Sequence, residues 1–466
     1  MPSIAPAIAL LLTATPGIDY DSMAKEARAI LAELVAADTT NPPGNEAKAV
    51  ALLAKRLKAA NIPFEVSTFA KGRDNLVARL SGDGSAKPVL LLAHLDVVGT
   101  QDQSWSSPPH TMTEKGGYLY GRGVGDDLSM AAVDLSLILA LKRAKVPQHR
   151  DLIVAFTGDE ESGGAGARWL IAHKHSSIDA EVAFNEGGGP LLGEDGKVGL
   201  LEIQTAEKTY QDFHVTAEGV TGHSSAPLPH NAIDEVARAL VEIADHPFPE
   251  RLLPVTESFF AGRAEFESDE VGDALSRIAH AKGDLPGDAL AVIRTRPSLE
   301  ALLHTTCVPT LFTAGTRVNA LPSKAEANLN CRLMPDETVD SVKDKLQELA
   351  GALVKVQPSA EFGSGPAVPL DGPGPTAVLA AGRALWPKVK IVATMSAGAD
   401  DSRFLRAAEI RAYGFNPVPM TEADGRRAHG VDERIPANGL RTGVELFERL
   451  IAALNVPPPP APPPAP

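Results

Sequence analysis

Up to about residue 205 the apolar positions alternate between two periods. Spacings of three and four residues predict amphipathic helices over 21–37 and 44–60, while short continuous apolar runs predict strands over 75–80 and 89–93. A long helix is expected over 129–143, where Ala131, Ala132, Leu135, Ile138 and Leu139 recur at helical spacing. A strand over 151–156, a helix over 166–173 and a strand over 180–184 continue the alternation. This is the texture of an α/β domain with a central mixed sheet flanked by helices.

After residue 207 the texture changes. The strand "YQDFHVTAEG" and helix "NAIDEVARALVEIA" lead into a less regular segment, 247–303. The strands "TCVPTLFTAG" and "AEANLNCRLMP", the helix "VDSVKDKLQELAGAL" and a short strand at "SAEFG" follow. That order is β-α-β-β-α-β, a self-contained α+β unit. From about residue 366 the α/β texture returns, ending in the helix "GLRTGVELFERLIAALN". The expectation is one larger domain, 20–204 with 366–455, interrupted by an inserted domain over 205–365. Residues 1–19 read as a signal-like or disordered N-terminus, and 456–466 as an extended, proline-rich disordered tail.

Composition narrows the function classes. The chain has 466 residues, 44% of them apolar, with 59 acidic against 44 basic side chains and a net charge of −15. That balance argues against a nucleic-acid binder, which presents a basic surface. No run reaches the roughly 20 apolar residues of a transmembrane span. The opening "MPSIAPAIALLLTATPG" has a short apolar core but no basic flank and is interrupted by Pro6, so cytoplasmic and exported locations both stay open. Cys307 and Cys331 are the sole cysteines and are expected to be buried free thiols. A metal site must therefore draw on histidines and carboxylates.

Those residues gather at strand ends, where open α/β sheets place ligands. His94 and Asp96 follow "LLLA"; Asp126 and Asp127 precede the long helix; Asp159, Glu160 and Glu161 follow "LIVAFTG"; Glu186 follows "EVAFN"; and His429 lies in "RRAHGVDERIP". Each alone has an ordinary reading as a helix cap, a solvated loop or a surface histidine. Together they form a converging set that repels itself unless neutralised by protons or cations. Two histidines with several carboxylates suit zinc, including a bridged pair of ions.

In these residues the chain resembles the zinc aminoacylase and carboxypeptidase S family, which includes acetylornithine deacetylases and glutamate carboxypeptidases. The motifs "AHLDVVG", "GRGVGDDLS", "TGDEESGG", "NEGGG", "GHSSAPLPHNAI", "RVNALPSKAEANLNCRLMP", "AGADDSRF" and "AHGVDERI" occur in that order. The spacing and the 247–303 insertion resemble most the carboxypeptidase S branch with its N-acyl-amino-acid amidases. The resemblance implies a di-zinc catalytic domain carrying an inserted lid and dimerisation domain. It implies two zinc ions per subunit, with cobalt or manganese able to substitute. Asp126 would bridge them, His94 and Glu186 would hold one, and Glu161 and His429 the other. Asp96 would accept a hydrogen bond from the His94 ring, Glu160 would be the general base, and His223 would polarise the scissile carbonyl. Asn319, Arg332 and Gly398 would contact substrate, Arg332 through a free carboxylate. The implied partners are an N-acyl amino acid, dipeptide or peptide C-terminus and a second copy of the chain, paired through the inserted domain.

Two departures from the family pattern stand out: Leu128-Ser129 replaces a common Lys-Gly after the Asp pair, and His110 replaces an aromatic residue after Pro108-Pro109. Rival readings are a metal-free binding homologue, which should lack Glu160 or a ligand, and a serine hydrolase using Ser224. In the second, "GHSSA" would be a degenerate nucleophile elbow lacking its last glycine.

Overall fold

The computed structural model describes residues 15–193, 195–267, 269–359 and 363–456. Most of the signal-like N-terminal run, the proline-rich tail from 457 on and the centre of the "SAEFG" strand lie outside the described residues. Two compact units emerge: one runs up to Thr205 and takes up again over Val368–Thr394 and from Asp400, and the other comprises Ala206–Ala367 with Met395–Ala399.

The first unit begins with helices α1 (Tyr20–Ala37) and α2 (Glu46–Ala59), then strands β1 (Phe64–Ala70), β2 (Arg73–Leu80) and β3 (Val89–His94). Helix α3 (Leu128–Ala144), strand β4 (Leu152–Thr157), helix α4 (Ala165–Ile178) and strands β5 (Val182–Asn185), β6 (Gly189–Leu192) and β7 (Val198–Glu207) follow. The second unit holds β8 (Thr209–Glu218), the two-residue β9 (Gly222–His223), α5 (Ala232–Asp245), α6 (Pro254–Arg263), α7 (Asp269–Ala279), α8 (Gly287–Ile293) and α9 (Pro297–Glu300). It continues with β10 (Thr306–Ala314), β11 (Ala320–Leu321), β12 (Lys324–Leu333), α10 (Val339–Ala350) and β13 (Lys355–Pro358). The chain then supplies α11 (Pro373–Leu385), β14 (Lys390–Ser396), α12 (Ser402–Ala407), β15 (Arg411–Gly414) and α13 (Gly439–Leu454).

The large sheet has nine strands in the order β6-β7-β15-β5-β3-β4-β2-β1, with β14 also paired to β7. Its centre, β15-β5-β3-β4, is parallel and its flanks are antiparallel, so the sheet is mixed. Every residue of β3, β4 and β5 is buried, as expected of parallel strands covered on both faces. Helix α3 is buried from Leu128 through Leu141, so it is an interior helix packed between the sheet, α1 and α13. Asp19 starts α1, its carboxylate accepting the N–H groups of Asp21 and Ser22 at 3.0 and 3.2 Å. The helices and central strands fall within a few residues of their predicted bounds. Strand β1 was not anticipated, because it is an edge strand whose side chains are mostly solvent-facing and lack an apolar run.

In the second unit a four-stranded antiparallel sheet, β10-β12-β8-β13, packs one face on α5 and α10. The last strand lies at Lys355–Pro358, before the "SAEFG" segment expected to form it; Val356 is the residue that reaches the core. The less regular segment 247–303 contains the four helices α6 to α9. Its far end is fastened by Lys208, whose buried ammonium donates to the carbonyls of Ala301 and His304, both at 2.7 Å. Burial away from water lowers this lysine's pKa to about 8.

The expectation of free thiols is overturned: Cys307 and Cys331 form a disulfide. They are direct cross-strand partners on β10 and β12, with Cα atoms 4.1 Å apart, a juxtaposition set by strand register rather than by anything local in the sequence. The bond closes a loop spanning 24 residues in sequence, and chain-entropy arguments assign such closure about 3 kcal/mol. Replacing both cysteines by alanine is expected to lower the unfolding free energy by about 2–4 kcal/mol. Denaturant unfolding with and without reductant measures this, and reductant should destabilise the wild type but not the double variant.

Candidate metal centre

Asp96 organises the first part of the site. Fully buried, its carboxylate accepts the main-chain N–H groups of Glu160 (3.1 Å) and Glu161 (3.2 Å) and the side-chain amide of Asn41 (2.7 Å). It therefore ties the turn after β4 to the end of β3. The His94 ring does not meet this carboxylate at hydrogen-bond distance: Nδ1 lies 2.9 Å from the main-chain carbonyl of Asp96 and 3.7 Å from its nearer carboxylate oxygen. The orientation expected from the carboxylate comes from the carbonyl, which fixes Nδ1 as the protonated nitrogen and turns Nε2 to the carboxylates.

His94 Nε2 lies 3.0 Å from Asp126 Oδ1 and 3.5 Å from Glu186 Oε1. His429 Nε2 lies 3.2 Å from Asp126 Oδ2 and 3.0 Å from Glu161 Oε2. The two oxygens of Asp126 thus face different histidines. His94, Asp126 and Glu161 can each offer a ligand atom within 4.8 Å of the others, and so can His94, Glu160 and Glu186. His429 sits in the left-handed region at φ 63°, a conformation that costs a residue with a Cβ roughly 1–2 kcal/mol.

The electrostatics are those of a crowd of like charges. Burial raises Glu186 to about 8 and pushes Glu160 well above the usual carboxylate range, with Glu186 adding to the second effect. Burial also opposes the charged form of Asp126, but contacts with His429 and His94 prevail and hold it low. Hydrogen-bond contacts to Asp126 and Glu161 raise His429 to about 10. In the absence of cations, protons must neutralise the group; divalent ions would do so with the nitrogen and oxygen donors present. The donor set therefore fits such ions.

Several residues around the cluster have supporting roles that the sequence pattern does not assign. Glu433, fully buried, accepts the N–H groups of Gly123 (3.0 Å), Gly125 (2.8 Å) and Asp126 (3.1 Å) and pairs with buried Arg122 at 2.7 Å. It holds the loop that presents Asp126, whose peptide bond to Asp127 is cis. Arg73 pairs with Glu46 and, at 2.6 Å, with Asp159, so α2 and β2 brace the Glu160–Glu161 turn. Gly164 follows that turn at φ 67°, where a Cβ would lie 2.3 Å from the Phe404 ring. Asn185 donates to Asp400 at 3.0 Å, and Thr157 to Asp401 at 2.9 Å. Glu433 lies inside the motif "AHGVDERI", but nothing local assigns it a partner; its role follows from its burial against a loop about three hundred residues away in the chain.

His223, Asn319, Arg332 and Gly398 belong to the second unit. His223 is exposed on β9 and paired with Ala320 of β11. Its Nδ1 accepts the Ser225 main-chain N–H at 3.2 Å, with the Ser225 hydroxyl at 2.7 Å. Ser224 gives its N–H to the Asn319 carbonyl at 3.1 Å. The next helix begins only at Ala232, so Ser224 does not occupy a strand-to-helix elbow. Gly398, exposed, donates its N–H to Ser396 Oγ at 3.0 Å.

The profile of peptidase family M20/M25/M40 matches residues 90–453. The chain is 29% identical over 392 residues to the human N-fatty-acyl-amino acid synthase/hydrolase PM20D1, covering 79% of this chain and 74% of that protein. It is 27% identical over 384 residues to the probable carboxypeptidase S-like 2 of Dictyostelium discoideum, covering 79% and 72%. Among solved structures, the M20 family metallo-carboxypeptidase Sso-CP2 of Sulfolobus solfataricus has the same fold, with a TM-score of 0.72 at 19% identity over 92% of this chain and 99% of that one. A dinuclear metal-binding peptidase of that family from Bacillus subtilis matches with a TM-score of 0.59 at 13% identity, covering 93% and 99%.

Unequal losses are expected on mutation. His94→Ala should abolish binding of one divalent ion per chain, while Asp96→Asn should weaken metal affinity about 10–100-fold without removing a donor. Metal content after dialysis against graded chelator, by plasma mass spectrometry, distinguishes the two.

Proposed function

The chain belongs to peptidase family M20/M25/M40, and from that premise we propose that it is a di-zinc amidohydrolase. It would cleave the amide bond next to a residue bearing a free carboxylate, in an N-acyl amino acid, dipeptide or peptide C-terminus. The observation that carries this reading is Asp126, with one oxygen toward His94 and the other toward His429, beside Glu160, Glu161 and Glu186. That arrangement supports Asp126 as the bridging carboxylate, with His94 and Glu186 on one ion and Glu161 and His429 on the other.

Bound zinc would supply Lewis acidity, acidifying a water and polarising the scissile carbonyl. Glu160 takes a proton from the attacking water and delivers it to the departing amine, so no covalent intermediate is needed. Its neighbour Glu161 shares the Asp96-anchored turn, which aims both side chains from one rigid base. At His223 the Ser225 main-chain N–H occupies Nδ1, so Nε2 of the neutral ring carries the proton and can donate to the developing oxyanion. Asn319 and Gly398 contact the substrate, and Arg332 receives its carboxylate in a forked hydrogen bond. The relative from humans is named for N-fatty-acyl amino acids, which favours N-acyl amino acids as the first substrates to test.

Pairing of two copies through the second unit belongs to the same proposal. Its support is β10, an edge strand exposing Val308, Leu311 and Phe312. Sedimentation velocity is expected to show a dimer that Leu311→Asp with Phe312→Asp converts to monomer; a monomeric wild type removes this part.

A panel of N-acyl amino acids and dipeptides, compared by kcat/KM, tests the activity. Chelation should abolish turnover, zinc or cobalt should restore it, and a serine-directed phosphonate should have no effect. Glu160→Gln should keep its metal and lose about 10²–10⁴-fold in kcat. Normal turnover by that variant would remove Glu160 as the base.

A further inference from the structure

The two faces of the second unit's sheet are unlike. Phe213, Val215, Leu329 and Cys331 lie in the core on one face, which places Tyr210 and Asp212 of β8 and Asn328, Asn330 and Arg332 of β12 on the other. Strand register makes Tyr210 the direct partner of Arg332, and Asp212 that of Asn330. The Arg332 guanidinium carbon lies 4.4 Å from the centre of the Tyr210 ring, a stacked cation–π arrangement. Arg332 Nε donates to Asn330 Oδ1 at 3.4 Å.

Behind this pair stands one carboxylate. Asp212 accepts the Tyr210 hydroxyl at 2.9 Å, the Asn330 amide at 2.8 Å and the Asn328 amide at 3.1 Å. Asn328 also donates to Thr310 Oγ1 on β10 at 2.9 Å. The ring under the guanidinium and the amide beside it are thus both anchored to Asp212, across the antiparallel β8–β12 pair whose ladder runs unbroken from Thr209 to Glu218. A free arginine side chain samples many rotamers; here that freedom is lost on folding rather than on binding, and the plane of the fork is set in advance.

We propose that Tyr210, Asp212 and Asn330 are positioning residues that hold the Arg332 guanidinium for a substrate carboxylate, and so set the preference for free α-carboxylates over the corresponding carboxamides. This rests on Arg332 as the carboxylate-receiving residue. The selectivity then resides in a platform rather than in one cation: an arginine at 332 without the ring beneath it discriminates poorly.

The test uses the full chain loaded with zinc and compares an N-acyl amino acid with its α-carboxamide by kcat/KM, taking the carboxamide's inhibition constant if its turnover is too slow. Arg332→Met should bring the carboxylate-to-carboxamide ratio close to one. Tyr210→Leu should lower that ratio about tenfold through a higher KM for the carboxylate, leaving kcat and the carboxamide values unchanged. Tyr210→Phe, which keeps the ring, should recover most of the ratio, and Asp212→Asn should fall between. If Tyr210→Leu and Asp212→Asn depress both substrates equally, or neither, while Arg332→Met still abolishes the preference, the platform is refuted and the reading of Arg332 stands. If Arg332→Met leaves the ratio intact, that reading fails and the platform with it.

Discussion

Carboxylates brought together inside a protein repel one another, and the first unit is arranged around that repulsion. Asp126, Glu160, Glu161 and Glu186 arrive from three different strand-to-helix or strand-to-strand connections and meet two histidines. The parallel centre of the sheet makes this meeting geometrically easy, because β3, β4 and β5 all end at the same edge. Protons or divalent cations must then offset the charge, and the donor set is one that such cations favour.

The loops that carry these side chains are fixed by a second layer that also uses carboxylates, in a different role. Asp96 and Glu433 each accept main-chain N–H groups, two for the first and three for the second. An ionised acceptor makes such bonds stronger than a neutral one would, so each anchor holds its loop firmly. Arg122 and Arg73 balance part of the negative charge at buried Glu433 and Glu46. The chemistry-bearing residues are therefore placed by acids that do not themselves face the cluster.

The second unit uses its sheet in two ways. One face buries a conventional apolar core against α5 and α10, and the other displays the polar ladder built on Asp212. The disulfide and Lys208 both act at the C-terminal end of the 247–303 insertion, Cys307 just beyond its last residue and Lys208 through the carbonyls at 301 and 304.

Much of this was legible in the chain. Periodicity alone places α1, α2, α3 and the buried strands β3, β4 and β5, because those elements are long or continuously apolar and their signal is local. The polar residues at the strand ends were visible for the same reason: His94 interrupts a run of leucines, and Glu160 and Glu161 end another apolar run. What the sequence could not decide depends on register and on distance along the chain. The edge strand β1 carries no apolar run. Whether Cys307 and Cys331 pair depends on two strands meeting in one alignment rather than another. The partner of the His94 ring is a carbonyl two residues away rather than the carboxylate of that same residue, a matter of about 1 Å that only the backbone path settles. Glu433 lies about three hundred residues from the loop it holds. Local patterning determined which residues were available for chemistry; tertiary packing decided which of them support the others, because a hydrogen bond is made by atoms that are close in space, however far apart they stand in sequence.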